Sequence, residues 1–410
     1  MRTRWLAMVP PPRLGKPWSL ETVDLEGLAW YYEKAAPPAG AVGACRRAIE
    51  REEPAWWIAN HGVDGLEAVK GAGTRFFDRQ SAEKKAFAVG AMDRSRGWEL
   101  YPHHRRYHER FDEEVVAGEQ STREGIIAER FVMGPPDICE GGDSLDPYFS
   151  SAWGRVFFER NAWPNDDLRE AMTKAYGKMY AASVATVRVL CAALGAPHDA
   201  LDDLVITRHH SRLQLNHYPT VHFPRGRSPP TRANAHYDTS VVTLLAREPT
   251  DDENRRGGLE IRDGDVWRPV PAGGGGGGVL TVQLGSLVEY LTNGRLRGAT
   301  HRVSLPAASH NRRRLSCAFV LKPDYMAPAA PPPSLAPFVP SSSSSSDHHP
   351  VIGLVGRVGW QNHAILAGRH SSSDARAAFK LWKLEMRARR GFPKNVFFSK
   401  RSDDDPDLIN

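Results

Sequence analysis

Two periods of apolar positions divide the chain. Over 165–194 they recur at helical spacing, with Leu168, Met172, Tyr176, Met179, Val187 and Leu190 on one side. Asn165 is placed to cap this helix. Asp166, Asp167 and Glu170 sit near its positive end, and Gly195 closes it. A stripe of methionine and aromatic residues at this spacing is a core face rather than a cofactor box. From 208 to 322 the period shortens to strand alternation. Segments 241–245, 279–284 and 317–321 read as strands. Asp263-Gly264, between Leu259-Glu260-Ile261 and Val266-Trp267, predicts a hairpin. Asn293-Gly294 predicts another turn. Upstream, the pattern predicts a short strand at 22–25, a helix over 39–52 and a buried strand ending in a turn over 56–63. A helix over 66–77 carries Leu66, Val69, Phe76 and Phe77 on one face, and a short helical turn follows at 81–85.

Between these elements the chain is polar or repetitive. Residues 94–130 read as a flexible loop on the substrate side. It holds His103, His104 and His108, with Asp112 four residues on, but Arg105, Arg106 and Arg110 would repel a cation there. The hexaglycine run 273–278 reads as an expanded loop, because no P-loop Lys-Ser/Thr or helix follows it. Residues 326–350 are Pro-rich, then Ser-rich, a composition that cannot bury a core. The histidines there, His348 and His349, are poor metal candidates. A helix is predicted over 374–389, anchored by Phe379, Trp382 and Leu384. Five segments result: a tail at 1–20, an N-terminal region at 21–160, a β-rich region with its bracing helix at 161–325, the insert at 326–350, and a helical cap and tail at 351–410.

Composition narrows the class. The chain has 410 residues, 41% of them hydrophobic, enough for a sizeable core. No apolar run approaches the ~20 residues of a membrane helix. The net charge of +6 is scattered rather than massed, which argues for a solvated basic surface and against nucleic acid. Cys45, Cys139, Cys191 and Cys317 are too far apart in sequence for a zinc knuckle or a disulfide framework. The expected protein is a cytoplasmic monomer with a small-molecule partner and neither nucleic acid nor membrane. The basic stretch at 1–20 leaves a short organellar transit peptide as the alternative.

The chemistry centres on His236 and Asp238, two residues apart, and on the distant His301. On a strand, residues i and i+2 share a face, so His236 and Asp238 are expected side by side. Two histidines and one carboxylate cover one face of a metal and leave the opposite positions open, as non-haem Fe(II) requires. Taken alone, the triplet is also what a core histidine followed by a turn aspartate looks like. Arg314 and Ser316 again share a strand face, and an arginine fork beside a hydroxyl grips a carboxylate well. Arg312 and Arg313, just before them, read as solvated at the strand entry. By themselves, Tyr218 is equally an ordinary core tyrosine and Asn216 a buried strand amide. His61, beside a glycine turn, reads as structural and not as a ligand.

Several short motifs occur in order: Leu215-Asn216-His217-Tyr218-Pro219, His236-x-Asp238, Gly258-Leu259-Glu260, Asn293-Gly294, His301-Arg302-Val303 and Arg314-x-Ser316. The series resembles the 2-oxoglutarate/Fe(II)-dependent dioxygenases, in the branch of isopenicillin N synthase and the plant hormone and flavonoid oxidases. The stretch around Asn60-His61-Gly62-Val63 is similar to that family's N-terminal region. His217, Thr220 and Thr300 depart from the usual motif neighbours without removing a ligand. The resemblance implies an α+β protein built on a double-stranded β-helix, a jelly-roll core with flanking helices. It implies Fe(II) on His236, Asp238 and His301, and 2-oxoglutarate held by Arg314, Ser316, Tyr218 and Asn216, with O2 as co-substrate and ascorbate as a reductant. The implied reaction is hydroxylation of a small organic substrate with 2-oxoglutarate converted to succinate. The rivals are an oxidase of the isopenicillin N synthase or aminocyclopropanecarboxylate oxidase kind, which does not consume 2-oxoglutarate, and a β-helix binding protein without activity.

Overall fold

The structure, a computed structural model, describes residues 13–87, 96–100, 128–139, 146–150, 158–206, 208–220, 232–248, 258–272, 278–292, 295–304, 312–324 and 334–335. Its strands, in chain order, are β1 (Arg13–Leu14), β2 (Thr22–Asp24), β3 (Ala55–Ala59), β4 (Gly97–Leu100), β5 (Glu129–Met133), β6 (Arg212–Tyr218), β7 (Ala233–His236), β8 (Val242–Arg247), β9 (Leu259–Asp263), β10 (Val266–Pro269), β11 (Val279–Leu284), β12 (His301–Val303) and β13 (Arg314–Val320). They form two sheets. The eight-stranded sheet runs β2-β3-β11-β8-β13-β6-β5-β4, and the five-stranded sheet runs β1-β10-β9-β12-β7. From β6 onward the chain crosses between the sheets at almost every step, with only the β9–β10 hairpin staying in one layer. That winding is the double-stranded β-helix.

Alternation along the large sheet separates two faces. Leu213, Leu215, Leu244, Val282, Cys317 and Phe319 point away from the small sheet into the main apolar core. They pack against the helix Asp166–Ala193, which is buried along most of its length. The Asn165 side chain accepts from Leu168 N at 2.9 Å at its start, and Gly195, at φ +84°, lies just past its end. Tyr176 ties the helix to the sheet through a 3.2 Å bond to the Ser211 carbonyl and a ring contact with Phe319.

The helix Leu66–Phe77 lies on the same side. Its Gly73 lets the helix approach β6 so closely that a Cβ there would come within 2.1 Å of Leu215. A buried polar knot sits beside it. Glu129 on β5 accepts from Lys84 Nζ at 2.7 Å, from Trp98 Nε1 and from His217 Nδ1 at 2.8 Å. Lys84 and Glu129 are almost wholly buried. Four segments distant in sequence are thereby joined behind β6.

Three expectations are corrected. Residues 97–100 and 129–130, read as part of a flexible polar loop over 94–130, belong to strands β4 and β5 of the large sheet; their polar residues are satisfied in pairs, which a hydropathy pattern does not reveal. Arg313, read as solvated at the strand entry, bonds Asp78 at 2.8 Å and the Thr74 carbonyl. Asp238 does not share a strand with His236, because β7 ends at His236. The hairpin at Asp263-Gly264 and the helices over 39–50 and 66–77 form as the pattern predicts. The histidines of 103–108, the Asn293-Gly294 turn, glycines 273–277, most of 326–350 and the helix at 374–389 lie outside the described residues. No helix among the described residues is long and apolar enough to cross a membrane.

Candidate active site

The site lies between the two sheets. His236 ends β7 and His301 begins β12, and the two are direct cross-strand partners. Their rings stand 4.3 Å apart, centre to centre. Asp238 lies beyond the strand, in a turn held from three sides. Ser286 N donates to the Asp238 carbonyl at 2.9 Å and Leu287 N to the Ser240 carbonyl at 3.1 Å, both from the start of the helix Ser286–Leu291. Thr243 Oγ1 donates to Asp238 Oδ2 at 2.7 Å, which leaves Oδ1 facing His236 Nε2 at 3.9 Å.

The ligand-type atoms of His236, Asp238 and His301 all lie within 4.8 Å of one another. His301 Nδ1 is 2.9 Å from the Ala299 carbonyl. A carbonyl can only accept, so that bond puts the proton on Nδ1 and leaves Nε2 as the lone-pair nitrogen. Burial alone would push the Asp238 carboxyl up. His301, His236, the Thr243 hydroxyl and Lys322 outweigh that and hold it below the usual carboxylate range. The trio therefore presents two imidazoles and an ionised carboxylate.

The opposite wall comes from β6 and β13. Arg314 faces Tyr218 and Ser316 faces Asn216 as direct partners in an antiparallel register, so all four side chains leave the same face. Asn216 Nδ2 donates to Ser316 Oγ at 3.3 Å. Burial pulls the Arg314 pKa down and pushes that of Tyr218 up. One cavity joins the two walls. Tyr218, Asn216, Arg314 and Ser316 line it together with His236, Asp238 and His301, and Gln214, Thr243, Leu245, Arg247, Leu259 and Val303 are among the other lining residues. The seven residues singled out from the sequence thus converge on one space. His61 is elsewhere; its Nδ1 accepts from Val63 N at 3.0 Å.

Residues 209–323 match the family model of the 2OG-Fe(II) oxygenase superfamily. Over these residues the chain is similar to that superfamily. A relative from Aspergillus rugulosus, the 2-oxoglutarate-dependent dioxygenase ecdK, is 30% identical over 197 residues, covering 45% of this chain and 56% of that protein. The 2-oxoglutarate-Fe(II) type oxidoreductase ppzD of Metarhizium majus is 26% identical over 300 residues, covering 70% of this chain and 80% of its own length. The match to the Aspergillus protein, like that to the gloF dioxygenase of Glarea lozoyensis at 58%, spans little more than half of the relative. Among solved structures, a 2OG-Fe(II) oxygenase family protein from Caulobacter crescentus superposes with a TM-score of 0.53 at 20% identity, over 75% of this chain and 87% of that one. That likeness is one of fold.

Four functional-site features escape a reading of superfamily motifs. Thr243 is an unremarkable strand threonine until the fold turns it onto Asp238. Gly285 packs so tightly on the Asp238 turn that a Cβ would lie 1.9 Å from the Ser240 carbonyl oxygen. Arg232, wholly buried, lies over the Tyr218 ring at 5.5 Å and donates to the Arg312 carbonyl at 3.0 Å. Lys322 is buried two residues beyond β13, where desolvation and then Arg212 lower its pKa to about 7. The only signal for the two cations was charge at an otherwise apolar strand edge.

Proposed function

We propose that this chain is an Fe(II)- and 2-oxoglutarate-dependent dioxygenase that hydroxylates a small organic substrate. The observation that carries this reading is the shared cavity: the His236–Asp238–His301 trio on one wall and the Arg314–Ser316–Tyr218–Asn216 group on the other. The donor set suits Fe(II). Two imidazole nitrogens and one carboxylate would hold the ion and leave positions for co-substrate and O2. When bound there, Fe(II) with 2-oxoglutarate and O2 supplies a two-electron oxidation of the substrate, coupled to loss of CO2 and formation of succinate.

The chain's own residues do the positioning. The Ala299 carbonyl holds the His301 ring through Nδ1, and the Thr243 hydroxyl engages Asp238 Oδ2, leaving Oδ1 toward His236. Arg314 answers the distal carboxylate of 2-oxoglutarate, which would be very costly to desolvate unpaired. The Ser316 and Tyr218 hydroxyls and the Asn216 amide stand beside that guanidinium to complete its hydrogen bonding. Leu245, Leu259 and Val303 keep the space between the walls apolar.

Anaerobic titration tests the reading. Fe(II) and 2-oxoglutarate together are expected to produce a weak visible charge-transfer band that neither produces alone. His236→Ala should abolish the band. Bound iron without any band on adding 2-oxoglutarate would overturn the co-substrate assignment.

A further inference from the structure

Cavity-facing side chains of the large sheet run in rows across its strands. Thr243 on β8 is the direct partner of both Gln283 on β11 and Val320 on β13. Gln283 therefore stands in the row of the Thr243 hydroxyl that holds Asp238. Val320 and Arg314 are the two ends of β13, so this row lies at the opposite end of the strand from the Arg314 group. Gln283 lines the cavity and is 2% exposed. Its Nε2 is buried without a hydrogen-bond partner, and no bond to its Oε1 is found among the described residues. A buried amide left unsatisfied is costly, and native folds hold few of them.

The polar side chains that β8 turns into the cavity are engaged. Thr243 gives its hydroxyl proton to Asp238. Arg247 donates to the Val270 and Pro271 carbonyls at 3.0 and 2.6 Å. On the proposed function, Arg314 answers the co-substrate and the His236–Asp238–His301 trio serves the metal. The wall beside Gln283 is otherwise apolar, from Leu245, Ala318 and Val320. Gln283 itself offers a neutral N–H donor and a carbonyl acceptor on one planar group. A single carboxamide does not offset the desolvation of a carboxylate or an ammonium. It does match a second amide, whose carbonyl accepts from Nε2 while its N–H donates to Oε1.

We propose that Gln283 pairs with an uncharged amide group of the molecule being oxidised, so that the substrate is a primary amide or a lactam, the amides whose C=O and N–H point the same way. This rests on the metal and co-substrate reading of the same cavity. An amide held at Gln283 keeps its neighbouring carbon near the ligand trio, because Thr243 links that row to Asp238. Leu245, Ala318 and Val320 receive the hydrocarbon part of the molecule.

The test uses the full chain with Mn(II) in place of Fe(II), without O2 and with saturating 2-oxoglutarate. Acetamide is the probe, and Mn(II) broadens its methyl proton resonance when it binds near the trio. Gln283→Leu should weaken acetamide binding about tenfold and leave the affinity for 2-oxoglutarate unchanged. The melting temperature of the ligand-free variant should equal or exceed that of the wild type, because an apolar side chain replaces an unsatisfied amide. Acetate, the charged counterpart, should bind both proteins alike. Equal acetamide affinity in the two proteins, no acetamide binding to the wild type, an equal loss of acetate binding, or weakened 2-oxoglutarate binding would each overturn the proposal. A lowered melting temperature would make Gln283 a structural residue and overturn it too. Binding of 2-oxoglutarate to the Mn(II)-loaded wild type is scored first. If that fails, the co-substrate reading falls, and acetamide binding to the metal-free wild type and variant, followed by saturation-transfer NMR, still decides the role of Gln283.

Discussion

His236, Asp238 and His301 differ in how firmly the chain holds them, and the differences set what substitutions should do. Asp238 is fixed by the Thr243 hydroxyl and by a backbone amide, and His301 by the Ala299 carbonyl. His236→Ala and Asp238→Ala are each expected to abolish 2-oxoglutarate-dependent succinate formation while far-ultraviolet circular dichroism stays native. Thr243→Val keeps the shape but removes the bond; metal affinity measured by equilibrium dialysis should fall by roughly 10- to 100-fold. Arg314→Ala should raise the KM for 2-oxoglutarate by at least about tenfold, the effect of losing a charge-assisted pair of ~1.5–3 kcal/mol. Residue spacing pointed to these side chains, but part of its logic was local and wrong. The two-residue gap between His236 and Asp238 implied a common strand face. The carboxylate instead reaches the site from a turn, and the turn depends on Ser286 and Gly285, some fifty residues away in sequence and outside any local motif.

At the scale of elements, apolar periodicity was most informative where end signals bracketed it. The helix Asp166–Ala193 was legible from cap to closing glycine because Asn165, its acidic first turn and Gly195 each carry a backbone reason. Asn165→Ala is expected to cost about 1 kcal/mol, read as a lowered melting temperature. β4 and β5 were illegible for the opposite reason. Glu99, Arg130 and Glu129 are charged strand residues, matched only by partners distant in sequence such as Lys84 and His217. The site also leans on the close contact at Gly285. A methyl there meets a backbone oxygen, which cannot swing aside, so Gly285→Ala should displace the Asp238 turn and destabilise the fold by ~1–3 kcal/mol. Thermal melting together with metal affinity would register both effects.

At the scale of the whole molecule, buried histidines make stability depend on pH. His209 stacks on Tyr180 at 4.3 Å, and burial lowers its pKa to about 4. Between that value and the ordinary ~6.5, the unfolded chain takes up a proton that the folded chain refuses. Stability from this group is thus complete above pH ~6.5 and declines on acidification, by at most about 3 kcal/mol near pH 4. His209→Phe, which keeps the stacked ring, should flatten the fall in melting temperature over that window. The two walls of the cavity carry a last consequence. The histidines come from β7 and β12 of the small sheet, the proposed carboxylate grip from β6 and β13 of the large one, and among the described residues β7 is an edge strand paired with β12 alone. An edge strand is where a sheet opens first. A small molecule touching both walls acts as a rivet between layers, so its arrival should slow amide hydrogen exchange in β7 and β12 before it alters any strand of the large sheet. On the proposed function, metabolite supply would then govern how long the protein survives proteolysis as well as how fast it turns over.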